Sequence, residues 1–324
     1  MLHDGSVVEG SLSDLDAGQD FIWLDCQAGS SKMVKALERR FQLDPEAVED
    51  VLDIELLPKV EHLGDERFVV LHSLDRTGDR LDTNEVDCFV SPQRLITVHA
   101  DRVPAIETLW KRSKTKSRLR ADGEELFAHL AEFIGRRYLS VIADFDQRID
   151  GLAEPALAGE SWVLGEVQQL RREEATVRTM LKPQALVLAE LRAESMEGMG
   201  DQARILLGDA DDVHRQVVDS LGTSRQLLAY ALETYRGAAA ERQANATVLL
   251  SVYASIMLPL SLIAGFYGMN TEGLPGASQP WGWVAITVVM LMVATATLGV
   301  FARLGLLTIR LPRRRRSEPD PTPA

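Results

Sequence analysis

Two long apolar segments lie near the end of the chain, and they determine the prediction for its C-terminal part. Residues 248–266 (VLLSVYASIMLPLSLIAGF) and 281–302 carry no charged side chain. Each segment has about the 20 residues that a helix needs to cross a hydrocarbon core roughly 30 Å thick. A short loop joins the two segments, so we expect a transmembrane helical hairpin, with spans at 248–267 and 281–304. The competing interpretation is a pair of helices buried in a soluble core.

The first hundred residues show short helical and strand-like patterns of apolar residues. These patterns predict a mixed α/β domain, which we place at 1–103. Apolar residues spaced by three and four predict a helix over 32–41. Asp44 followed by Pro45 is typical of a helix N-cap and first turn, and it opens a second helix through about Asp53. Short apolar runs predict strands at 20–25, 67–74, 85–90 and 94–99, the last two joined by a turn at 91–93.

From 104 to 247 the pattern is helical, which makes the whole chain α+β. A last helix begins between about Gly200 and Asp212 and meets no proline before Pro259. It would form a stalk on the order of 80 Å long at ~1.5 Å per residue. The other predicted helices are a basic one over 105–120, an amphipathic one from Gly123 to about Ala158, and one from Trp162 to about Ser195 that is interrupted at Pro183.

The charge distribution predicts the orientation in the membrane. The formal net charge is −13 at pH 7, although the tail at 305–324 is strongly basic. Such an acidic body makes nucleic acid a poor partner and cations a plausible one. The loop at 268–280 has no Lys or Arg and a single acid, Glu272, whereas arginines flank both apolar segments. Arginine-rich flanks stay in the cytoplasm, so we expect both termini inside the cytoplasmic (inner) membrane. The tail is a topology anchor or binds anionic lipid headgroups.

The residues offer no catalytic constellation. Cys26 and Cys88 lie far apart and form no Cys/His cluster. The chain shows no glycine-rich phosphate loop, no Ser/His/Asp set and no HExxH motif. We therefore expect a protein that is not an enzyme.

Small and polar residues recur every three or four positions along the last predicted helix. Close helix packing selects small residues. A water-filled pore along a symmetry axis also requires them, and Leu258 would then be an apolar constriction that gates by dewetting. Glu233 would form a negative ring in that pore, or is an ordinary exposed acid. The residues of this line, called here the small-residue stripe, are Glu233, Gly237, Ala240, Ala244, Thr247, Ser251, Ala254, Leu258, Ser261 and Gly265.

A four-residue motif, Tyr267-Gly268-Met269-Asn270, ends the first apolar segment after Met257-Leu258-Pro259-Leu260-Ser261 and Ala264-Gly265. Placed between two terminal spans and behind a long charged helical region, it resembles the CorA family of divalent-metal transport proteins over nearly the whole chain. The resemblance implies a funnel-shaped homopentamer, with first spans lining a pore and second spans outside. Residues 267–270 would form its outer mouth, where a ring of Asn270 carboxamide oxygens holds hydrated Mg²⁺.

The resemblance also implies a cargo and a form of regulation. The cargo would be Mg²⁺, with Co²⁺ or Ni²⁺ as additions, and cytoplasmic Mg²⁺ bound between subunits would close the channel. A solvated acidic loop is the alternative explanation of the same acids. The candidate regulatory ligands are Asp209, Asp211 and Asp212, with Asp82 and Glu85 facing them.

Two other functions stay open. A ZntB-like branch of the family moves Zn²⁺ with protons, and Gly273-Leu274-Pro275-Gly276 resembles that branch, whereas Met269 argues against it. Glu272 is compatible with either cargo. A membrane-anchored scaffold without transport would explain the stripe by packing alone.

Overall fold

A computed structural model describes residues 2–3, 6–7, 21–27, 31–52, 57–78, 80–115, 122–194, 199–269, 275 and 279–304. The chain divides into two compact units, Met1–Tyr235 and Arg236–Ala324. The first unit contains the strands and most of the helices. The second contains the end of the longest helix and the last helix.

A five-stranded sheet forms the first part of unit one. Its strands are β3 Ile22–Gln27, β4 Lys59–Leu63, β5 Glu66–Thr77, β6 Arg80–Ser91 and β7 Arg94–His99, and a separate pair is β1 Leu2–His3 and β2 Ser6–Val7. The order in the sheet is β3-β7-β6-β5-β4, with β3 and β7 parallel and the other neighbours antiparallel. The four predicted strands, β3, β5, β6 and β7, are confirmed, and β5 and β6 are longer than predicted. The edge strand β4 was not predicted.

The two faces of this sheet bury different helices because side chains alternate along each strand. Val70 and Phe89 face a cluster completed by α1 (Ser31–Phe41) and α2 (Pro45–Leu52). Val69 and Cys88 face the larger helical core on the opposite side. The predicted N-cap of α2 is confirmed. Asp44 Oδ1 accepts the N–H groups of Glu46 and Ala47 at 2.9 and 3.3 Å.

The described part of the chain continues with the helices α3 Pro104–Thr115, α4 Gly123–Asp150, α5 Ala153–Leu157, α6 Trp162–Glu194, α7 Asp201–Tyr267 and α8 Gly282–Arg303. The prediction of one helix from Gly123 to Ala158 was wrong. The N–H of Leu152 bonds to the carbonyl of Ile149 at 2.9 Å, which tightens the chain and separates α4 from α5. The basic helix is described over Pro104–Thr115, and the rest of its predicted range, 116–120, lies outside the described residues.

The predicted interruption at Pro183 was also wrong, because α6 continues through it. Proline removes one backbone N–H and crowds the preceding turn. Leu181 and Gln184 are fully buried on either side of it, so tertiary packing holds the helix together. In the same way α7 continues past Pro259 to Tyr267.

The start of α4 lies against the turn between β6 and β7. The N–H of Gly123 bonds to the carbonyl of Pro92 at 3.2 Å. A Cβ at Gly123 would lie 2.3 Å from the carbonyl oxygen of Ser91, so only glycine fits there. Asp122 caps the helix by accepting the N–H of Glu125 at 2.7 Å. These contacts tie the helical core to the sheet.

Candidate functional site

The membrane-like part of α7 has one partly shielded face. Most of its side chains between 247 and 267 are exposed in the single chain, and the partly buried ones share one side. At 100° per residue, the stripe between Thr247 and Gly265 lies about 160° around the helix from that shielded side. The stripe is therefore turned away from the shielded side of its own helix. The partly buried residues are Val248, Val252, Ile256, Pro259, Leu260, Ile263 and Tyr267.

Two stripe hydroxyls have a defined orientation. Thr247 Oγ1 donates to the carbonyl of Gln243, and Ser251 Oγ donates to the carbonyl of Thr247, both at 2.9 Å. Each hydroxyl has one proton and two lone pairs. Because the proton is used inside the helix, the oxygen is left as an acceptor. The stripe thus presents hydrogen-bond acceptors on an otherwise apolar helix.

The rest of the stripe is also uncovered. Leu258 is 75% exposed, and Glu233, Ala254 and Ser261 are exposed. A Cβ added at Gly265 would meet nothing within 4 Å. Within one described chain, none of these positions is filled by a neighbouring helix, so the small residues are not explained by packing inside the monomer.

The motif that follows α7 is described up to Met269, and Asn270 and Glu272 lie outside the described residues. Gly268 donates its N–H to the carbonyl of Ala264 at 2.8 Å. A Cβ at Gly268 would lie 3.0 Å from that same oxygen, which favours glycine where the helix ends. Tyr267 Oη donates to the carbonyl of Pro275 at 3.4 Å, linking the helix end to the loop. Met269 is 55% exposed.

The acidic group near the start of α7 is only partly open to ligands. Asp211 is fully buried, and its carboxylate accepts from Arg192 at 2.8 Å and from Arg215 at 3.0 Å. Arg192 also bonds to Asp212 at 3.0 Å. Asp209 is exposed on the same helix. These arginines were not predicted as partners of the acids, although the spacing of Asp211 and Arg215 by four residues indicates a pair on one helix face.

The other two predicted regulatory acids lie on β6. Asp82 pairs with Arg80 at 2.9 Å, and Glu85 lies 3.7 Å from the ring of His72 across the strand pair. Within the described residues, no group of three or more His, Cys, Asp or Glu side chains is arranged to hold a metal ion.

Burial perturbs several groups in unit one that the sequence analysis did not single out. It raises the pKa of Asp87 to about 8, with help from the nearby carboxylates of Glu85 and Asp50. It lowers the pKa of His72 and of His214 to about 4. These groups lie in the body of the protein, and their burial depends on residues that are distant in the sequence.

Two helices of the described chain, α7 and α8, are long and apolar enough to cross a membrane by length and composition. Together with the α/β and helical unit that precedes them, they define the class of membrane proteins with two C-terminal spans and a large N-terminal body. Within that class, residues 18–303 match the model of the CorA-like Mg²⁺ transporter protein family, and the chain belongs to that family. The resemblance stated from the motif is confirmed.

Several relatives are similar over most of the chain. The cobalt/magnesium transport protein CorA of Methanocaldococcus jannaschii is 23% identical over 309 residues, 93% of this chain and 96% of that protein. The zinc transport protein ZntB of Pectobacterium carotovorum is 23% identical, covering 77% of each chain. The relatives thus include proteins named for magnesium and cobalt transport and proteins named for zinc transport.

Solved structures share the fold. The complete structure of the M. jannaschii CorA magnesium transporter superposes with a TM-score of 0.83 at 22% identity, covering 94% of this chain and 97% of that one. The full-length CmaX protein gives a TM-score of 0.76 at 22% identity, covering 93% and 94%. The architecture of body, long helix and two apolar C-terminal helices is therefore that of full-length CorA.

Proposed function

We propose that this protein carries divalent cations, Mg²⁺ first, across a membrane, and that α7 of each copy lines the pathway. The observation that carries the proposal is the stripe on α7. It combines exposed small residues with hydroxyls oriented as acceptors, and it faces away from the shielded side of its helix. Family membership and the relatives named for magnesium and cobalt transport support the same cargo.

The chemistry of the stripe suits a hydrated cation. Mg²⁺ dehydrates reluctantly and usually keeps its waters, whose O–H groups point outward as donors. Thr247 and Ser251 offer oxygen acceptors whose own protons are already used. Small residues at neighbouring stripe positions leave room for the water shell. Leu258, exposed on the same line, would form the apolar constriction.

Two spans cannot enclose a pathway, so the function requires several copies related by rotational symmetry. We propose the homopentamer that the family resemblance implies, with Tyr267 to Asn270 at the outer mouth and Glu233 toward the inner end. A ring of Asn270 carboxamides would hold the incoming hydrated ion. A membrane potential of −100 mV favours entry of a divalent cation by about 4.6 kcal/mol, so no ATP-driven motor is needed.

Orientation follows from charge. Arginines flank α7 and α8, and the connecting loop has none. We propose that both termini and the whole N-terminal unit lie in the cytoplasm, with the loop outside. The basic tail would lie at the inner leaflet, where it anchors the chain or binds anionic lipid.

Regulation by cytoplasmic Mg²⁺ is a further part of the proposal. Arg192 and Arg215 occupy Asp211, and Arg192 also bonds to Asp212, whose side chain is exposed. A metal would bind at the exposed Asp209 and would compete with Arg192 for Asp212. A regulatory site would combine these two acids with acids of a neighbouring copy, such as Asp82 or Glu85. Loss of bridging Mg²⁺ would leave like charges facing each other and would loosen the closed assembly.

Zinc transport is the second candidate, and the ZntB relatives favour it. The first experiment is uptake by the purified protein in liposomes, with Mg²⁺ or Zn²⁺ outside and with or without a pH gradient. Mg²⁺ entry that follows the membrane potential and ignores the pH gradient supports the channel. Zn²⁺ entry that rises with inward protons, with little Mg²⁺ flux, moves the protein to the zinc branch.

The same vesicles test the pathway and the scaffold alternative. Absence of any divalent flux would leave only the membrane-anchored scaffold. Unchanged flux and selectivity in Asn270→Ala would contradict the proposed mouth.

A further inference from the structure

The buried face of α7 is apolar apart from a few polar side chains, and each of these is bonded to another helix. Asp211 bonds to Arg192 of α6, and Ser224 donates to Asp146 of α4 at 2.5 Å. His214 lies between them and is fully buried. The full set of buried residues on this face is Ala203, Leu207, Ala210, Asp211, His214, Val217, Leu221, Ser224, Leu228, Ala231 and Leu232.

His214 ends a directed chain of hydrogen bonds that begins in the sheet. The backbone N–H of His72 donates to Gln184 Oε1 at 2.6 Å. Gln184 Nε2 lies 2.9 Å from His214 Nε2, and His214 Nδ1 lies 2.9 Å from the carbonyl of Ala210. A carbonyl only accepts, so Nδ1 carries the proton and Nε2 accepts from the Gln184 amide. Every donor in the chain therefore meets an acceptor, and only neutral His214 satisfies it.

This chain of hydrogen bonds begins on β5, just beyond the part of β5 that pairs with β4. Val70 pairs with Lys59, the first residue of β4, so His72 lies two positions beyond that pairing. The peptide of His72 is completed by side chains instead. Gln184 accepts its N–H, and Tyr138 Oη donates to its carbonyl at 3.2 Å. Gln184 thus connects the sheet edge to α7 through a core that is otherwise apolar.

Helix α4 approaches α7 closely at the same level. A Cβ at Gly135 would lie 2.8 Å from Val213 Cγ1 and 2.9 Å from the His214 ring. The rings of Tyr138 and His214 have centroids 6.4 Å apart. The imidazole is enclosed on several sides, and it has no room to find another partner.

We propose that Gln184 and His214 are positioning residues that set the axial register of α7 against the rest of the body. A slide of one helical turn, about 5.4 Å, would place Ala210 or Val218 opposite the Gln184 amide. Neither side chain has an acceptor, so a buried amide would lose its partner. The bonds from Asp211 to Arg192 and from Ser224 to Asp146 would also break in such a slide, and they act in the same sense. The apolar residues on this face tolerate it better, because the hydrophobic effect is not directional.

The register matters for transport because the pathway positions lie on the same helix. Glu233 is 19 residues beyond His214 on α7, and the remaining stripe positions follow. The effect on transport rests on the proposed function, whereas the argument for the register depends only on the contacts inside one chain.

The test measures register and flux separately. Spin labels are attached at Lys182→Cys on α6 and Gln226→Cys on α7, both exposed positions. Cys26 and Cys88 are buried, so the added thiols are labelled selectively. Labelled chains are co-assembled with an excess of unlabelled chains, so that only distances within one chain are read. The two sites are offset along the helix axes, so a one-turn slide changes their distance by about 4 Å.

The variants are His214→Leu, which removes the acceptor, and Gln184→Met, which removes the bond from the other side. Val217→Ala is the matched control, because Val217 is equally buried on α7 and makes no side-chain hydrogen bond. His214→Gln retains an acceptor and should restore the native distance. We expect a displaced distance population in His214→Leu and Gln184→Met only, and a flux changed roughly 2- to 30-fold in the same two variants.

Native distances in both His214→Leu and Gln184→Met would overturn the proposal. So would flux losses that follow the unfolding temperature equally in these variants and in Val217→Ala, because that result describes a merely structural role. Wild-type vesicles that carry no divalent cation would contradict the proposed function, whereas the distance measurement would still decide the register.

Discussion

Ionisation of the buried carboxyl group of Asp87 should make the free energy of unfolding depend on pH. It lies on β6 with 4% of its surface exposed, and its Oδ1 has no hydrogen-bond partner among the described residues. Lys59, the cation that acts to lower the pKa of Asp87, is itself bonded to Asp50 at 2.5 Å and to Glu61 at 2.6 Å. Burial, with the carboxylates of Glu85 and Asp50, raises the pKa of Asp87 from 3.8 to about 8.

The sign of the effect follows from this shift. Below pH 3.8 Asp87 is neutral in both the folded and the unfolded chain, and it costs nothing. Between about pH 4 and 8 the unfolded chain releases the proton and the folded chain keeps it, so stability falls as pH rises. One proton corresponds to about 1.4 kcal/mol per pH unit, and the whole interval of roughly 4 pH units to a cost on the order of 5 kcal/mol. Water that reaches the carboxylate would reduce this cost, so the figure is an upper bound.

The perturbation is Asp87→Asn, measured as thermal unfolding of the full chain between pH 5 and 8. The amide cannot ionise, so its advantage over the wild type should grow with pH. For a unit of about 200 residues, the difference in unfolding temperature should grow by about 3–5 °C per pH unit. Asp65→Asn, at the exposed β4–β5 turn, is the control for the substitution itself. A temperature difference that stays flat from pH 5 to 8 would refute the reasoning.

Substitutions on α4 and α7 give three further tests. Gly135→Ala should destabilise by about 1–3 kcal/mol through overpacking against α7, whereas Gly222→Ala, with nothing within 4 Å, should stabilise α7 by about 0.5–1 kcal/mol in thermal unfolding. Arg148→Met removes the ion pairs to Glu166 and Glu173, both at 2.8 Å, and should cost about 1–3 kcal/mol in the same assay. Leu258→Ser should raise resting Mg²⁺ leak in liposomes, and Leu249→Ser, about 180° around the helix, should not.

Regular amphipathic elements could be predicted from the sequence, and elements held by tertiary contacts could not. The helix at Ser31–Phe41 and the strand at Arg94–His99 follow their apolar periods closely. The edge strand β4, KVEHL, has only two apolar residues and forms because β5 offers it a full row of backbone partners. Pro183 predicted a break that buried neighbours on both sides of it prevent.

The candidate site also contains residues that the sequence pattern predicts and residues that it does not. The stripe on α7 follows from the regular geometry of a helix, so its residues could be identified by their spacing along the chain. The burial of Asp211 could not, because Arg192 comes from another helix. The pairing of Gln184 with His214 joins positions 30 residues apart on two different helices. No local pattern connects such residues.

Hydroxyl bonding does not by itself identify a pathway. Thr287 and Thr295 of α8 donate to backbone carbonyls just as Thr247 and Ser251 of α7 do. What distinguishes α7 is that its line of small residues continues below the apolar segment. Gly237, Ala240 and Ala244 are exposed there, among charged neighbours, where contact between membrane spans does not act. A single axis shared by several copies of α7 accounts for both parts of the line, whereas packing between spans accounts for the upper part alone.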